Sequence, residues 1–139
     1  MPDLRRFHSA QARDLPAALA ELGRGRKISH WMWWIFPQLA ALGRSPRARE
    51  YGIADLAEAR AYLADPVLRA NLVAASRAVL SHPDLPIERI MGPIDSAKLQ
   101  SCATLFEVAS DGAEPVFARI LDTFHGGRRC GPTRAAIGE

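Results

Sequence analysis

Two stretches of the 139-residue chain carry the side chains best suited to bind a charged ligand. Residues 27–38 contain all three tryptophans together with His30, and residues 92–106 place Asp95 and Lys98 near their start. Imidazole, carboxylate and ammonium groups bind polar or charged partners, and an indole ring attracts cations to its face. We therefore expect any functional site to include one or both stretches.

Lysine use is the most unusual feature of the charged residues. The chain has 18 basic residues, of which only Lys27 and Lys98 are lysine. Lysine presents a compact ammonium, whereas arginine presents a wide planar fork, so these positions could be ones where the fork does not fit. The same observation is explained equally well if the two lysines were retained by chance in a chain that otherwise uses arginine. If the two lysines share a pocket, we expect His30, Gln38 and Asp95 to line it, and a bound anion to balance the second ammonium.

The aromatic stretch reads either as a helix or as an interior strand, because large apolar side chains occupy every position from Trp31 to Phe36. We favour a helix, since Ser29 is a good N-cap, Pro37 would end it, and nothing else in the chain resembles a partner strand. Burying each tryptophan would remove roughly 150 to 250 Å² from water. At least two of the three tryptophans should therefore be buried.

The second stretch is predicted to open a helix with Asp95 as its N-cap and Lys98 one turn further on. A helix N-terminus favours anions, and a nearby lysine would strengthen that preference. The simpler interpretation, a structural cap beside a solvated lysine, accounts for this stretch when it is taken alone. Cys102 has helical spacing from Leu99 and Phe106, so it should face the apolar core and react slowly.

Composition excludes several classes of protein. The net charge is only +3 and the basic residues are scattered, which argues against a nucleic-acid-binding surface. No apolar run is long enough to span a membrane, and the N-terminal residues do not resemble a signal peptide, so we expect a cytoplasmic protein. The two cysteines match no metal-binding spacing and are expected to be free thiols. Neither a metal nor a cofactor is predicted.

Helical periodicity dominates the remainder of the chain. Asp55 and Asp65 each have the position of an N-cap ahead of an apolar helical pattern, and Asp14 would cap a helix that could also be continuous with the one before it. The predicted fold class is all-α, with about six or seven short helices in a single compact domain over residues 1–127. Residues 128–139 have few apolar side chains and are expected to form a flexible tail.

Several segments together resemble an uncharacterised bacterial family, domain of unknown function 1810 (DUF1810), some of whose members carry the label calpastatin-like. The resemblance covers nearly the whole chain. Its most specific part is the run from His30 to Gln38; the sequence departs from the family at Trp34, where phenylalanine is usual, and at Cys102-Ala103, where Ser-Met is usual. The further segments that carry the resemblance are Phe7 with Ala10-Gln11, Gly43-Arg44-Ser45, Tyr51-Gly52-Ile53, Ala59 with Tyr62-Leu63, Gly92, Asp95, Lys98-Leu99, Ser101 and Thr104-Leu105-Phe106.

The resemblance implies a helical domain similar to an α-horseshoe and supplies no activity. Calpastatin-type inhibition uses disordered repeats that fold on their target, whereas this chain is apolar-cored and has no repeats, so we reject that label. Three functions are compatible with the residues: binding of a small anionic or nucleotide-like ligand beside the aromatic run, a non-catalytic scaffold or interaction domain, and an enzyme that uses His30 as acid or base. The candidate ligand-binding residues are Lys27, His30, Trp31, Trp34, Gln38, Arg44, Tyr51, Asp95, Lys98 and Ser101.

Overall fold

The structure, a computed structural model, describes residues 3–139, and the first element in it is one long helix, α1 (Arg5–Gly23). The sequence left open whether this region forms one helix or two. Pro16 lies inside α1 and does not divide it. Phe7, Ala10, Ala18 and Leu22 recur at helical spacing and are buried, so a single apolar stripe anchors the helix on both sides of the proline.

Seven further α-helices and one 3₁₀ turn follow within the described residues. They are α2 (Met32–Ile35), the 3₁₀ turn (Ala40–Leu42), α3 (Pro46–Glu50), α4 (Leu56–Ala64), α5 (Pro66–Leu80), α6 (Ile87–Ala109), α7 (Val116–Phe124) and α8 (Gly131–Ala136). Residues 3–139 contain no strand, and one isolated parallel bridge joins Leu39 to Ile53. The all-α, single-domain prediction is confirmed. The described residues contain eight α-helices, whereas six or seven were expected. None of these helices combines the length and apolar character needed to cross a membrane.

The core lies where α1, α4, α5, α6 and α7 pack against one another. Tyr62 of α4 contacts Phe106 of α6, with ring centroids 5.1 Å apart, and Phe106 contacts Phe117 of α7 at 5.9 Å. All three rings are fully buried, so each removes a large apolar area from water. As predicted, Asp55 and Asp65 cap α4 and α5, each accepting a hydrogen bond from the first turn of its helix.

The aromatic run is helical for one turn only. The helix α2 starts after Trp31, and the prediction that Ser29 is its N-cap is wrong. The reason is a competing partner, because the N–H and Oγ of Ser29 both donate to the carboxylate of Glu21. The burial prediction is confirmed, since Trp31 is 1% exposed and Trp34 is 5% exposed.

Residues 128–139 differ from the flexible tail expected from their composition. They contain α8, and Thr133 in that helix is fully buried. Its Oγ1 lies 2.8 Å from Ser101 Oγ on α6, while the Arg129 guanidinium contacts the Glu107 carboxylate at 2.5 Å. Polar contacts hold this segment on α6, and Ile137 adds an apolar contact with the core.

Candidate functional site

The site begins with a kink inside α6. Gly92 has φ 84° and ψ 162°, a conformation that other residues rarely adopt, and Pro93 follows it. The kink turns the second part of α6 next to the Ile90 carbonyl, and Pro93 has no backbone N–H to continue the helical hydrogen bonds. The backbone N–H of Lys27 donates to that carbonyl at 2.6 Å. The loop after α1 is therefore fixed to α6 immediately beside the kink.

A buried carboxylate shapes the same loop. Glu21 Oε1 accepts hydrogen bonds from the N–H groups of Ile28 and Ser29 and from the Trp31 indole N–H, and Oε2 accepts one from Ser29 Oγ. Burial on its own raises the pKa of Glu21, but the hydrogen bonds from Ser29, Ile28 and Trp31 outweigh it and lower the pKa to about 2. Glu21 therefore holds the loop in shape as a permanent anion near neutral pH.

Lys27 and Lys98 converge on one carboxylate. Lys27 Nζ lies 3.0 Å from Asp95 Oδ2, and Lys98 Nζ lies 3.7 Å from Asp95 Oδ1. The Lys27 side chain is 7% exposed and also donates from Nζ to the Ser29 carbonyl at 2.6 Å, whereas the Lys98 side chain is 25% exposed. The structure therefore brings the two lysines together, which is the condition on which the sequence analysis expected a shared pocket. Asp95 itself is not an N-cap, because the helix restarts at Pro93 and its carboxylate faces the lysines.

Each ammonium also lies over an indole ring. Lys27 Nζ is 4.7 Å from the ring centroid of Trp31, and Lys98 Nζ is 5.2 Å from that of Trp33. The guanidinium of Arg47 approaches Trp33 as well, at 5.3 Å. Such contacts contribute about 0.5 to 2 kcal/mol each, depending on solvent exposure. Two lysine–tryptophan pairs bridged by one carboxylate thus join α2, the preceding loop and α6.

A cleft of about 360 Å³ opens beside this cluster. Its polar lining consists of Lys27, His30, Asp95 and Lys98, and its other walls are Met32, Trp33, Met91, Gly92, Pro93 and Ile94. The lining carries two ammonium groups and one carboxylate, so the cleft favours an anion. A pocket with apolar walls and a few converging polar groups is the usual form of a small-molecule site.

Four of the predicted residues therefore line the cleft: Lys27, His30, Asp95 and Lys98. Gln38 does not. It lies beside a much smaller hollow, of about 10 Å³, whose lining also includes Trp33 and Lys98. His30 is exposed, and its ring makes no hydrogen bond within residues 3–139. It lines the cleft without a partner that would orient it.

The other five predicted residues lie outside the cleft. Trp31 and Trp34 are core residues, with Trp34 packed edge-on against Tyr51 at a centroid distance of 4.9 Å. Ser101 is buried against α8 through its contact with Thr133. Arg44 is exposed and does not line the cleft.

The sequence interpretation missed Trp33, the one tryptophan that faces the cleft, together with Met32, Met91, Ile94 and the nearby Arg47. The spacing separates Trp33 from Trp31 and Trp34, which are three apart and share one face of a helical turn, but it does not indicate which face borders the cleft. The turn begins after Trp31, because Ser29 donates its hydrogen bonds to Glu21 and does not cap the helix. No local sequence pattern reveals that contact.

The fold and the cleft together define an all-α protein with a cationic pocket beside a tryptophan-rich turn. The chain belongs to the family described as Protein of unknown function (DUF1810), whose model matches residues 1–137. Its fold is similar to the crystal structure, at 1.38 Å, of the conserved hypothetical protein Rv1873 from Mycobacterium tuberculosis. The two sequences are 42% identical, the TM-score is 0.95, and the match covers 99% of this chain and 97% of the other. Among proteins with curated descriptions, none matches this sequence.

Proposed function

We propose that the cleft between Lys27, Lys98 and Trp33 binds a small anionic ligand that also carries an apolar or planar group. The observation that carries this proposal is the sharing of one carboxylate, that of Asp95, by two ammonium groups. Both cysteines are free thiols, a state that a reducing cytoplasm maintains, so we place this binding in the cytoplasm.

The charge balance at Asp95 supports an anion. Two unit charges about 4 Å apart interact by about 4 kcal/mol at an effective dielectric of 20, so two nearby ammonium groups repel unless each has a counter-ion. Asp95 can neutralise only one of them, and it lies closer to Lys27. Lys98 is more exposed and lines the cleft, so its ammonium is the group that can pair with a ligand.

The walls of the cleft indicate what else the ligand carries. Met32, Met91 and Trp33 provide apolar surface, and Ile94 at the rim is 73% exposed. A bare inorganic anion would leave that surface in contact with water, whereas a ligand with an apolar or aromatic portion would cover it. A phosphate or carboxylate attached to a ring, as in a nucleotide, combines both features within the size of the cleft.

The same contacts argue for binding rather than catalysis. An acid or base must be held within hydrogen-bonding reach of the reacting atom, and the exposed ring of His30 has no described partner to hold it. Ser101, a candidate nucleophile in the predicted set, is buried on the side of α6 that faces α8. A purely structural role is the competing possibility for Lys27, which is nearly buried and tied to Ile90 through its backbone.

Isothermal titration calorimetry with three probes tests the proposal: adenosine monophosphate, phenyl phosphate and inorganic phosphate. We expect the two ring-bearing probes to bind and inorganic phosphate to bind more weakly. Lys98→Met keeps an apolar stem and removes the charge, and it should weaken binding about tenfold or more. Arg44→Gln is the matched control, because it removes one exposed positive charge outside the cleft. Binding that is absent in the unmodified protein, or that both variants weaken equally, would overturn the proposal.

A further inference from the structure

A second cavity, of about 460 Å³, is lined by Arg24, Gly25, Arg26, Leu85 and Arg89. Three of its five lining residues are arginines and none is acidic. Arg24 and Arg26 follow the end of α1, while Arg89 belongs to α6, so the fold brings them together from distant parts of the chain. This cavity shares no lining residue with the cleft around Lys98.

The backbone around this cavity is fixed by several contacts. Gly25 has φ 76°, and a Cβ there would come within 3.1 Å of Leu85 Cδ1, so both conformation and space favour glycine. The backbone N–H groups of Arg24, Gly25 and Arg26 donate to carbonyls at the end of α1. A ring nitrogen of His82 lies 2.9 Å from the Gly23 carbonyl and links the loop to the segment before α6. Arg24 and Arg26 therefore project from a defined loop.

None of the three arginines forms an ion pair with a described residue, in contrast to Arg6, whose guanidinium pairs with Glu58 at 2.9 Å. Complementing the negative end of the α1 dipole accounts for Arg24 and Arg26. It does not account for Arg89, which lies in the first turn of α6, where the dipole disfavours a positive charge. An anion in the cavity would provide the missing partner for all three.

We propose that this cavity binds a small polyphosphate group, such as the di- or triphosphate portion of a metabolite. Each guanidinium presents a planar fork of N–H donors that matches phosphate oxygens, and three of them suit an anion with several negative charges. The cavity is concave and bounded by Leu85 and Gly25, a shape that suits a compact anion. An extended nucleic-acid backbone would instead need a continuous basic stripe.

The test is calorimetric titration of the full chain with tripolyphosphate, pyrophosphate and inorganic phosphate. We expect affinity to rise with the number of phosphates and to fall as salt is added. Arg26→Gln and Arg89→Gln should each weaken tripolyphosphate binding about tenfold or more. Arg60→Gln removes an arginine that is also exposed and lines neither cavity, and it should leave binding unchanged. Lys98→Met should weaken tripolyphosphate binding much less than Arg26→Gln or Arg89→Gln does, which separates this site from the cleft.

Three results would overturn the inference. The first is no detectable binding of tripolyphosphate at a concentration of about 1 mM, at which even a weak site would be occupied. The second is equal weakening by Arg60→Gln, which would indicate attraction by overall charge. The third is much tighter binding of a single-stranded RNA oligonucleotide that Arg26→Gln and Arg89→Gln abolish, because the partner would then be a nucleic acid.

Discussion

Lys27 Nζ lies 3.0 Å from Asp95 Oδ2, and this contact joins the loop after α1 to the second part of α6. The Lys27 side chain is 7% exposed and that of Asp95 is 19% exposed, so the pair is largely removed from solvent. Removing one member of a fully buried pair costs about 3 to 5 kcal/mol, because the other charge is left uncompensated. Lys98, at 3.7 Å from Oδ1 and more exposed, contributes much less to holding the loop.

The first prediction separates these two lysines by stability. Lys27→Met should lower the free energy of unfolding by about 2 to 3 kcal/mol, a little below the range for fully buried pairs since Asp95 keeps some contact with water. Lys98→Met should lower it by less than about 1 kcal/mol, as for exposed pairs. Urea denaturation followed by far-UV circular dichroism measures both. Equal losses would mean that the two lysines support the fold alike.

The sequence raised a shared pocket for Lys27, His30, Asp95 and Lys98 as one of two readings, because lysine is rare in the chain, but only the fold could bring the two lysines together. It did not reveal which tryptophan faces the cleft. That outcome depends on Glu21, whose carboxylate accepts a hydrogen bond from the backbone N–H of Ile28, seven residues later in the chain. A glutamate inside an amphipathic helix has the same local pattern whether it is solvated or buried.

The C-terminal segment illustrates a second limit. Residues 128–139 are poor in apolar side chains, and composition alone therefore indicated a flexible tail. The contacts that order them are polar and distant in sequence, namely Thr133 with Ser101 and Arg129 with Glu107. A hydroxyl or guanidinium offers many partners, so its choice of one follows only from the packed helices.

The second prediction concerns the close approach of Gly52 to Ala40. A Cβ at Gly52 would overlap the Ala40 backbone beside the bridge between Leu39 and Ile53. Gly52→Ala should therefore lower the free energy of unfolding by about 1 to 3 kcal/mol, the usual cost of overpacking. Gly23→Ala is the control, because a Cβ there meets nothing within 4 Å and helical alanine is favoured. Thermal unfolding of the two variants should shift in opposite directions.

The third prediction concerns the two thiols. Cys102 is 1% exposed in the core, and burial raises the pKa of its thiol, so it should react slowly with a thiol reagent. Cys130, which is partly exposed, serves as the internal comparison. Labelling of the folded protein should modify Cys130 first, and Cys102 should react only after denaturant is added. Equally rapid labelling of both in the folded protein would show that this face of α6 opens readily.

The last prediction concerns Glu21 and acid. Because folding lowers the pKa of Glu21 from 4.5 to about 2, the carboxylate stabilises the protein above pH 4.5, and this contribution is lost as the pH falls from 4.5 toward 2. A shift of this size corresponds to about 3 kcal/mol. Glu21→Gln should therefore destabilise the protein at pH 7 and reduce the loss of stability between pH 5 and pH 3. Glu50→Gln, which removes an exposed carboxylate with no described hydrogen bond, should leave the profile unchanged. Urea titrations across this pH range measure the free energy of unfolding of each variant. If its pH dependence were the same for Glu21→Gln and the unmodified protein, the other carboxylates would account for the acid sensitivity, and the role assigned to Glu21 would be wrong.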